Sequence, residues 1–531
     1  MRHTSPVATP RDTHRLVTRR RFLRTCGTIA LGSVVAPRIV RAQSAGRLGG
    51  FPFTLGVASG YPSPHGVVLW TRLAPDPLVP GGGMDPTPVE VRWEIARDER
   101  FADIALRGTA LALPEWAHSL HVDARGLAPD RWYWFRFHAA GVTSPVGRTR
   151  TAPAADASVA KLRIAVASCQ HYEHGWYAAY RHMLDDSLDL IAQVGDYIYE
   201  SSFGTNPVRS HEAGEPYSLD DYRARYACYR SDADLRAAHA HHPWVSVWDD
   251  HEVENDYAND RSQKDEDRAE FLARRAAAYQ AYYEHMPLPP VMAPSGPSMR
   301  IYTRLPLGKL AEIFLLDDRQ YRTYQPCPEP GRGGGRMIEN CSERLDPSAT
   351  LLGVEQERWL ASSLESSSAR WNLLAQQTLM AQADALAGPG QRFYSDGWDG
   401  YPAARKRLLG HIASRKIKNP VVLGGDVHSF WANDLAVDFD DAKSPTVASE
   451  LITTSITSRP PPEERIQTAK AENPRIHFAT GTRRGYLRLE ITPARILADL
   501  RAVDDVTDPR TSCTTLASFA VEDGRPGPQR A

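Results

Sequence analysis

Six short, largely apolar runs, most of them stopping at residues able to hold a metal ion or an anion, constrain this chain more than any other feature. Residues 162–167 run into Ser168-Cys169-Gln170, and 188–194 into Gly195-Asp196. Residues 244–248 run into Asp249-Asp250-His251-Glu252, and 311–316 into Asp317-Asp318-Arg319. Residues 372–377 lead to Thr378, and 420–423 to Gly424-Gly425-Asp426-Val427-His428. Apolar runs this short read as buried strands. Helical stretches lie between them, residues 266–285 and 354–366 among them. The alternation predicts an α/β fold of layered plan, with two sheets packed as a sandwich. Ligands of such sheets collect just past the carboxyl ends of strands. The polar ends of these runs therefore predict one shared site.

Asp196, Asp250, Asp426 and His428 are hard or borderline ligands at those ends. Oxygen ligands suit Ca, Mg or Mn, whereas imidazole and phenolate suit Zn or Fe. Cys169 stands in the same kind of position and can add a thiolate. Carboxylates brought to one edge repel one another unless a cation neutralises them. A shared Asp can bridge two metal ions about 3.5–4 Å apart, a pair that clamps both oxygens of an in-line phosphoryl displacement. A lone Gly-Asp would read as a turn or helix cap; the repetition is what favours ligands. Asp249 and Asp256 stay open, and Asp399 reads as a turn residue. His171, His174, His241 and His242 read as surface or rim residues.

The rest of the chain supplies the surroundings. Residues 50–153 hold short strand-like runs, including the aromatic 132–137, and predict an N-terminal immunoglobulin- or fibronectin-like β-sandwich domain. The α/β domain spans 160–517, with long surface loops at 206–219 and 331–335. Residues 522–531, rich in Pro, Gly and charge, predict a flexible C-terminal tail. Residues 1–42 read as a Tat signal peptide. Thr18-Arg19-Arg20-Arg21-Phe22-Leu23-Arg24 precedes a mild apolar run and the small-residue spacing Val40-Arg41-Ala42. That run is too short and polar to make a stable membrane span. The segment implies the Tat export machinery as a partner and a periplasmic or secreted protein. A formal net charge of −1 argues against a nucleic-acid binder. Five cysteines follow the signal: Cys169, Cys228, Cys327, Cys341 and Cys513. With Cys169 as a ligand, the other four allow three pairings. Cys327 with Cys341, flanking the Gly-rich loop, is the favoured one.

The chain resembles the PhoD-like alkaline phosphatase family, within the calcineurin-like metallophosphoesterases. The stretches that carry the resemblance span nearly all of it. They include Phe53-Thr54-Leu55-Gly56-Val57-Ala58-Ser59-Gly60, Ala167-Ser168-Cys169-Gln170 and Gly195-Asp196-Tyr197-Ile198-Tyr199-Glu200. Trp248-Asp249-Asp250-His251-Glu252-Val253-Glu254-Asn255-Asp256, Leu316-Asp317-Asp318-Arg319-Gln320-Tyr321-Arg322 and Gly424-Gly425-Asp426-Val427-His428-Ser429 complete the pattern.

The resemblance implies an αββα sandwich and a site holding Fe(III) with one or two Ca2+. Asp196 would bridge the metals, Tyr199 and Cys169 would ligate Fe, and Asp250, Asp426 and His428 would complete the metal set. His251 would serve as hydrogen-bonding group or proton donor, and Arg319 would hold a phosphate oxygen. The implied reaction is hydrolysis of small-molecule phosphate monoesters, and of diesters too, by metal-activated hydroxide. The alternative is a phospholipase D-like phosphodiesterase using the same site. Two positions depart from the family pattern: Tyr61 stands where Asp is common, and Asp318 where Thr is frequent.

Overall fold

The structure is a computed structural model that describes residues 49–531. The twin-arginine segment lies outside the described residues. Two large sheets face each other. In the ten-stranded sheet, Leu162–Ala167, Leu190–Val194 and Pro243–Val247 pair in parallel. In the seven-stranded sheet, Ala311–Leu315, Trp371–Ala375, Pro420–Gly424 and Thr446–Ile452 do the same. Parallel strands covered on both faces read as continuous apolar runs, which is why these were visible in the sequence.

Alternation within the strands divides the core. Ile313, Leu373 and Val421 share a cluster with Ile164, Val166, Ile191 and Val245 of the opposite sheet. Their neighbours Phe314, Leu374 and Val422 face the other way, onto Leu360, Leu364, Leu409 and Ile412. Those four lie on helices Val354–Ser366 and Pro402–Arg415. Helices Ala233–His241 and Arg268–His285 pack on the ten-stranded sheet. Helices thus cover both sheets of a mixed α/β fold. Among the described residues, no helix is long and apolar enough to cross a membrane.

One expectation gains a detail and another is corrected. The N-terminal strands form two packed layers, one of which continues a larger sheet. Val57–Ser63, Gly66–Arg72 and Ser119–Arg125 continue the ten-stranded sheet, joined by parallel pairing of Ser59 with Pro243. The five strands Val89–Ala96, Ile104–Ala112, Trp132–Ala139, Val142–Thr143 and Gly147–Arg150 form a separate layer. The two layers meet through Val57, Leu69 and Leu120 on one side and Val91, Ile95, Phe135 and Phe137 on the other. The first two strands are almost wholly buried, as suits members of a larger sheet.

The C-terminal residues are also ordered into the fold. Arg525–Arg530 is the edge strand of the ten-stranded sheet, returning antiparallel along Cys513–Glu522. Gly527 is buried and its amide donates to the Ser449 hydroxyl at 2.8 Å. Prolines disqualify a central strand but not an edge one, so Pro526 and Pro528 misled the composition argument.

Candidate active site

Parallel strands deliver their carboxyl ends to one side of the molecule. Cys169, Asp196, Asp250, Asp426 and His428 follow four of them within a few residues. The chain turns sharply at these points. Cys169, Asp196, Asp426 and His428 take φ values of 58°, 57°, 63° and 50°. The left-handed region costs a residue with a side chain roughly 1–3 kcal/mol and persists where the surroundings enforce it. Two glycines permit the close approach. A Cβ on Gly195 would stand 2.4 Å from the Asp249 Cβ, and one on Gly425 would stand 2.2 Å from the Ser168 hydroxyl.

The ligand-capable atoms form a connected set. Those of Cys169, Asp196 and His428 lie within 4.8 Å of one another, as do those of Asp196, Asp250 and His251. The same holds for Asp249, Asp250 and Asp426, and for Asp250, Asp256 and Asp396. Asp196 and Asp250 each belong to more than one group. The Tyr199 hydroxyl donates to Asp196 Oδ2 at 2.7 Å, lies 3.1 Å from His428 Nε2, and accepts from the Ser458 hydroxyl at 2.7 Å. His428 Nδ1 lies 2.7 Å from the Arg459 carbonyl. A carbonyl only accepts, so Nδ1 carries a proton and Nε2 is the nitrogen turned to the ligand groups. The structure thus brings together Cys169, Asp196, Tyr199, Asp250, Asp426 and His428.

Burial gives these groups strong electrostatics. It pushes the Cys169 thiol and Tyr199 phenol well above their usual pKa, and the Asp196 carboxylate pushes further the same way. Asp249 and Asp426 are raised by burial, with the neighbouring carboxylates adding to it and Arg319 opposing. Asp196 Oδ1, Asp249 Oδ2 and Asp250 Oδ1 are buried with no hydrogen-bond partner. Unpaired buried carboxylate oxygens are costly, and a cation among them would remove the penalty. Carboxylate, thiol, phenol and imidazole donors around these oxygens therefore fit metal ions.

His251 lies at the rim of the set, with Nδ1 2.6 Å from Glu200 Oε2. Burial opposes its charge, but Glu200, then Asp196 and Asp250, outweigh it and hold the imidazolium well above the usual histidine value. Glu252 acts through the backbone. Its carboxylate accepts from the amides of Asp196 (3.1 Å), Tyr197 (2.6 Å) and Asp249 (2.8 Å), and so fixes two ligand-bearing turns together.

Arg319 stands among the acids of the site. It is fully buried, and it does not line the cavity over the site. Its guanidinium is clamped by Asp249 and Asp396, with Asp250 and Asp426 at 3.6 and 3.8 Å. The guanidinium so placed braces the acid cluster, while its Nη2 keeps no hydrogen-bond partner. His171, His174 and His242 are likewise not rim residues but buried. His171 stacks on His174 at 3.9 Å and sits 4.5 Å from the Tyr199 ring.

A cavity of about 420 Å³ opens over the centre, lined by Asp196, Asp250, His251, Asp256, Asp426 and His428 on its acid side. Sequence reasoning missed Asp396, Glu200 and Glu252 as parts of the site. Both glutamates stand inside the motifs and were the available signal. Asp396 follows the short edge strand Arg392–Tyr394, and no apolar run announces it.

The disulfide Cys327–Cys341 is formed. It closes the loop carrying Gly335, whose amide donates to Asp256 Oδ2 at 3.1 Å. Cys228 and Cys513 are free.

Comparison with known proteins agrees with this arrangement. The PhoD-like phosphatase family matches residues 164–500, and that family's N-terminal domain matches 40–153. Alkaline phosphatase D of Bacillus subtilis (strain 168) is 46% identical over 524 residues, 96% of this chain and 88% of that protein. A solved structure of PhoD superposes with a TM-score of 0.87 at 46% identity, covering 92% of this chain and 93% of that one. This chain therefore belongs to the PhoD-like phosphatase family and is a phosphoric ester hydrolase.

Proposed function

We propose that this is an exported, metal-dependent phosphatase that hydrolyses phosphate monoesters and also accepts diesters. Its metal centre would be held by Cys169, Asp196, Tyr199, Asp250, Asp426 and His428. One observation carries the reading: Asp196, Asp249 and Asp250 each keep a buried oxygen without a hydrogen-bond partner, and all three belong to the overlapping ligand groups. The Cys169, Tyr199, His428 and Asp196 set suits Fe(III), and the oxygen-rich set of Asp249, Asp250 and Asp426 suits one or two Ca2+. When bound, such ions supply Lewis-acid polarisation of the phosphate and activation of a water nucleophile at neutral pH.

The chain's own residues do the rest. Glu200 orients His251 through Nδ1 and favours its charged form, so Nε2 can protonate the departing alkoxide. Arg319 keeps Asp249 and Asp396 in register. Ser458 offers a hydrogen bond that a Tyr199 phenolate can accept. The export reading rests on the twin-arginine run and on the Cys327–Cys341 disulfide, of a kind that oxidising compartments maintain.

The test measures Fe and Ca content, then hydrolysis of p-nitrophenyl phosphate and bis-p-nitrophenyl phosphate by the same protein. Iron-replete protein should carry a visible phenolate absorbance that Tyr199→Phe removes. Unchanged absorbance in the variant would sink the Fe–Tyr199 assignment.

A further inference from the structure

Two arginines, Arg459 and Arg465, line the same cavity as the ligand groups. Both are exposed, and what each guanidinium touches is neutral. Arg459 Nη2 donates to the Thr205 and Asn206 carbonyls at 2.6 and 3.3 Å, and Arg465 Nη2 to Met337 Sδ at 2.8 Å. Among the described residues, neither forms a salt bridge. The acids around them are engaged elsewhere. Glu463 accepts from the Thr480 hydroxyl at 3.0 Å and the Gly481 amide at 2.7 Å. Asp399, which also lines the cavity, pairs with Arg405 at 2.7 Å. Pro460-Pro461-Pro462 joins Arg459 to helix Glu463–Glu472, which carries Arg465. Proline fixes φ, so the backbone holding the two arginines is stiff. The Arg459 carbonyl meets His428 Nδ1 at 2.7 Å, while His428 Nε2 lies 3.1 Å from the Tyr199 hydroxyl. One imidazole therefore separates the Arg459 backbone from the ligand groups, and the two loop carbonyls keep its guanidinium at the rim beside Phe203, another residue of the cavity.

We infer that Arg459 and Arg465 receive a second anionic group carried on the organic part of the ester. The substrate class is then phosphate esters that bear a carboxylate or a further phosphate besides the one cleaved. The inference rests on the phosphatase reading of the site, in which the metal centre takes the scissile phosphate. A guanidinium matches carboxylate and phosphate oxygens bidentately, and these two have N–H groups left after their neutral contacts. A neutral substituent would gain nothing from either charge. Because the arginines are exposed, their attraction acts mainly on capture of the substrate and weakens with salt.

The test uses metal-replete enzyme with 4-(carboxymethyl)phenyl phosphate and its neutral carboxamide counterpart, which share shape and have leaving groups of similar basicity. At low salt kcat/KM should be at least about fivefold higher for the carboxylate, mostly through KM, and the preference should fade at about 0.5 M salt. The double variant Arg459→Gln, Arg465→Gln should cut the ratio at least about threefold by raising KM for the anionic ester, while Arg465→Lys alone retains most of it. A third ester, 4-(phosphonomethyl)phenyl phosphate, tells the two anions apart: whichever of phosphonate and carboxylate gives the higher kcat/KM marks the group the arginines are set for. Equal kcat/KM for carboxylate and carboxamide, or a preference that survives the double variant, would overturn the arginine site and leave the phosphatase intact. Failure to hydrolyse any of the three esters would instead overturn the reading of the metal centre. Calorimetric binding of 4-carboxybenzylphosphonate against 4-carbamoylbenzylphosphonate needs no turnover and still decides the arginine site: the carboxylate should bind tighter, and equal affinity would overturn it.

Discussion

Replacing Glu200 by Gln isolates the charge behind His251. Glu200 is 2% exposed and meets His251 Nδ1 through Oε2 at 2.6 Å. Its Oε1 accepts from the Asn255 amide at 3.2 Å and the Ser201 hydroxyl at 3.1 Å. A glutamine carbonyl can keep both of those, which places its NH2 against the imidazole. A hydrogen bond to a charged group is worth roughly 1.5–3 kcal/mol, and one pKa unit is about 1.36 kcal/mol. Glu200→Gln should therefore lower the His251 pKa by about 1–2 units.

The sign for stability follows from both partners. His251 is raised in the folded state, so its contribution is full below its unfolded value and lost as pH rises through the folded one. Glu200 is depressed: burial works against its charge but His251 outweighs it. Its contribution is present above the unfolded value and lost as pH falls through the folded one. The variant should be weakest relative to wild type between about pH 4.3 and 6.5, the two unfolded values. The assay is log kcat/KM against pH, with both proteins at the same measured metal content. The alkaline limb should move down by about 1–2 units in the variant. An unmoved alkaline limb would refute the proton-donor role of His251.

Three further outcomes follow from the geometry. Gly195→Ala forces a Cβ to 2.4 Å from the Asp249 Cβ at φ 107°, so it should lower stability by more than about 2 kcal/mol and reduce metal content, read by urea denaturation and elemental analysis. Cys341→Ser opens a link across 14 residues and should cost about 3 kcal/mol of stability; it should also raise KM, because Gly335 and Tyr394 no longer hold Asp256 firmly. Truncation after Asp523 removes the edge strand Arg525–Arg530 and should lower the melting temperature, whereas a frayed tail would leave it unchanged.

Much of the centre was legible because a parallel strand buried on both faces is an unbroken apolar run, and the residue after it points at the shared edge. Asp196, Asp250, Asp426, His428 and Cys169 all announce themselves that way. Tyr199, three residues past Asp196, was within reach of the site by its spacing, but a phenol there can equally be core, and the family resemblance is what gave it a ligand role. Arg319 could not be placed from the sequence. Its partners Asp249 and Asp396 lie 70 and 77 residues away, and which carboxylates a guanidinium reaches is decided by packing. The merging of the N-terminal strands into the catalytic sheet was hidden for a related reason. A strand's own pattern records that it is buried but not which neighbour it pairs with. The edge strand at the C-terminus was hidden because prolines and glycines suit an edge and a tail alike.

The central claim is that Asp196 joins the metal groups into one working centre, and Asp196→Asn tests it most directly. The substitution keeps the size of the side chain and removes its charge. Metal content by elemental analysis, measured with hydrolysis of p-nitrophenyl phosphate on the same preparations, is the readout. The account predicts that the variant folds, loses bound metal and loses nearly all activity together. A variant that keeps wild-type metal content and wild-type kcat/KM would contradict it.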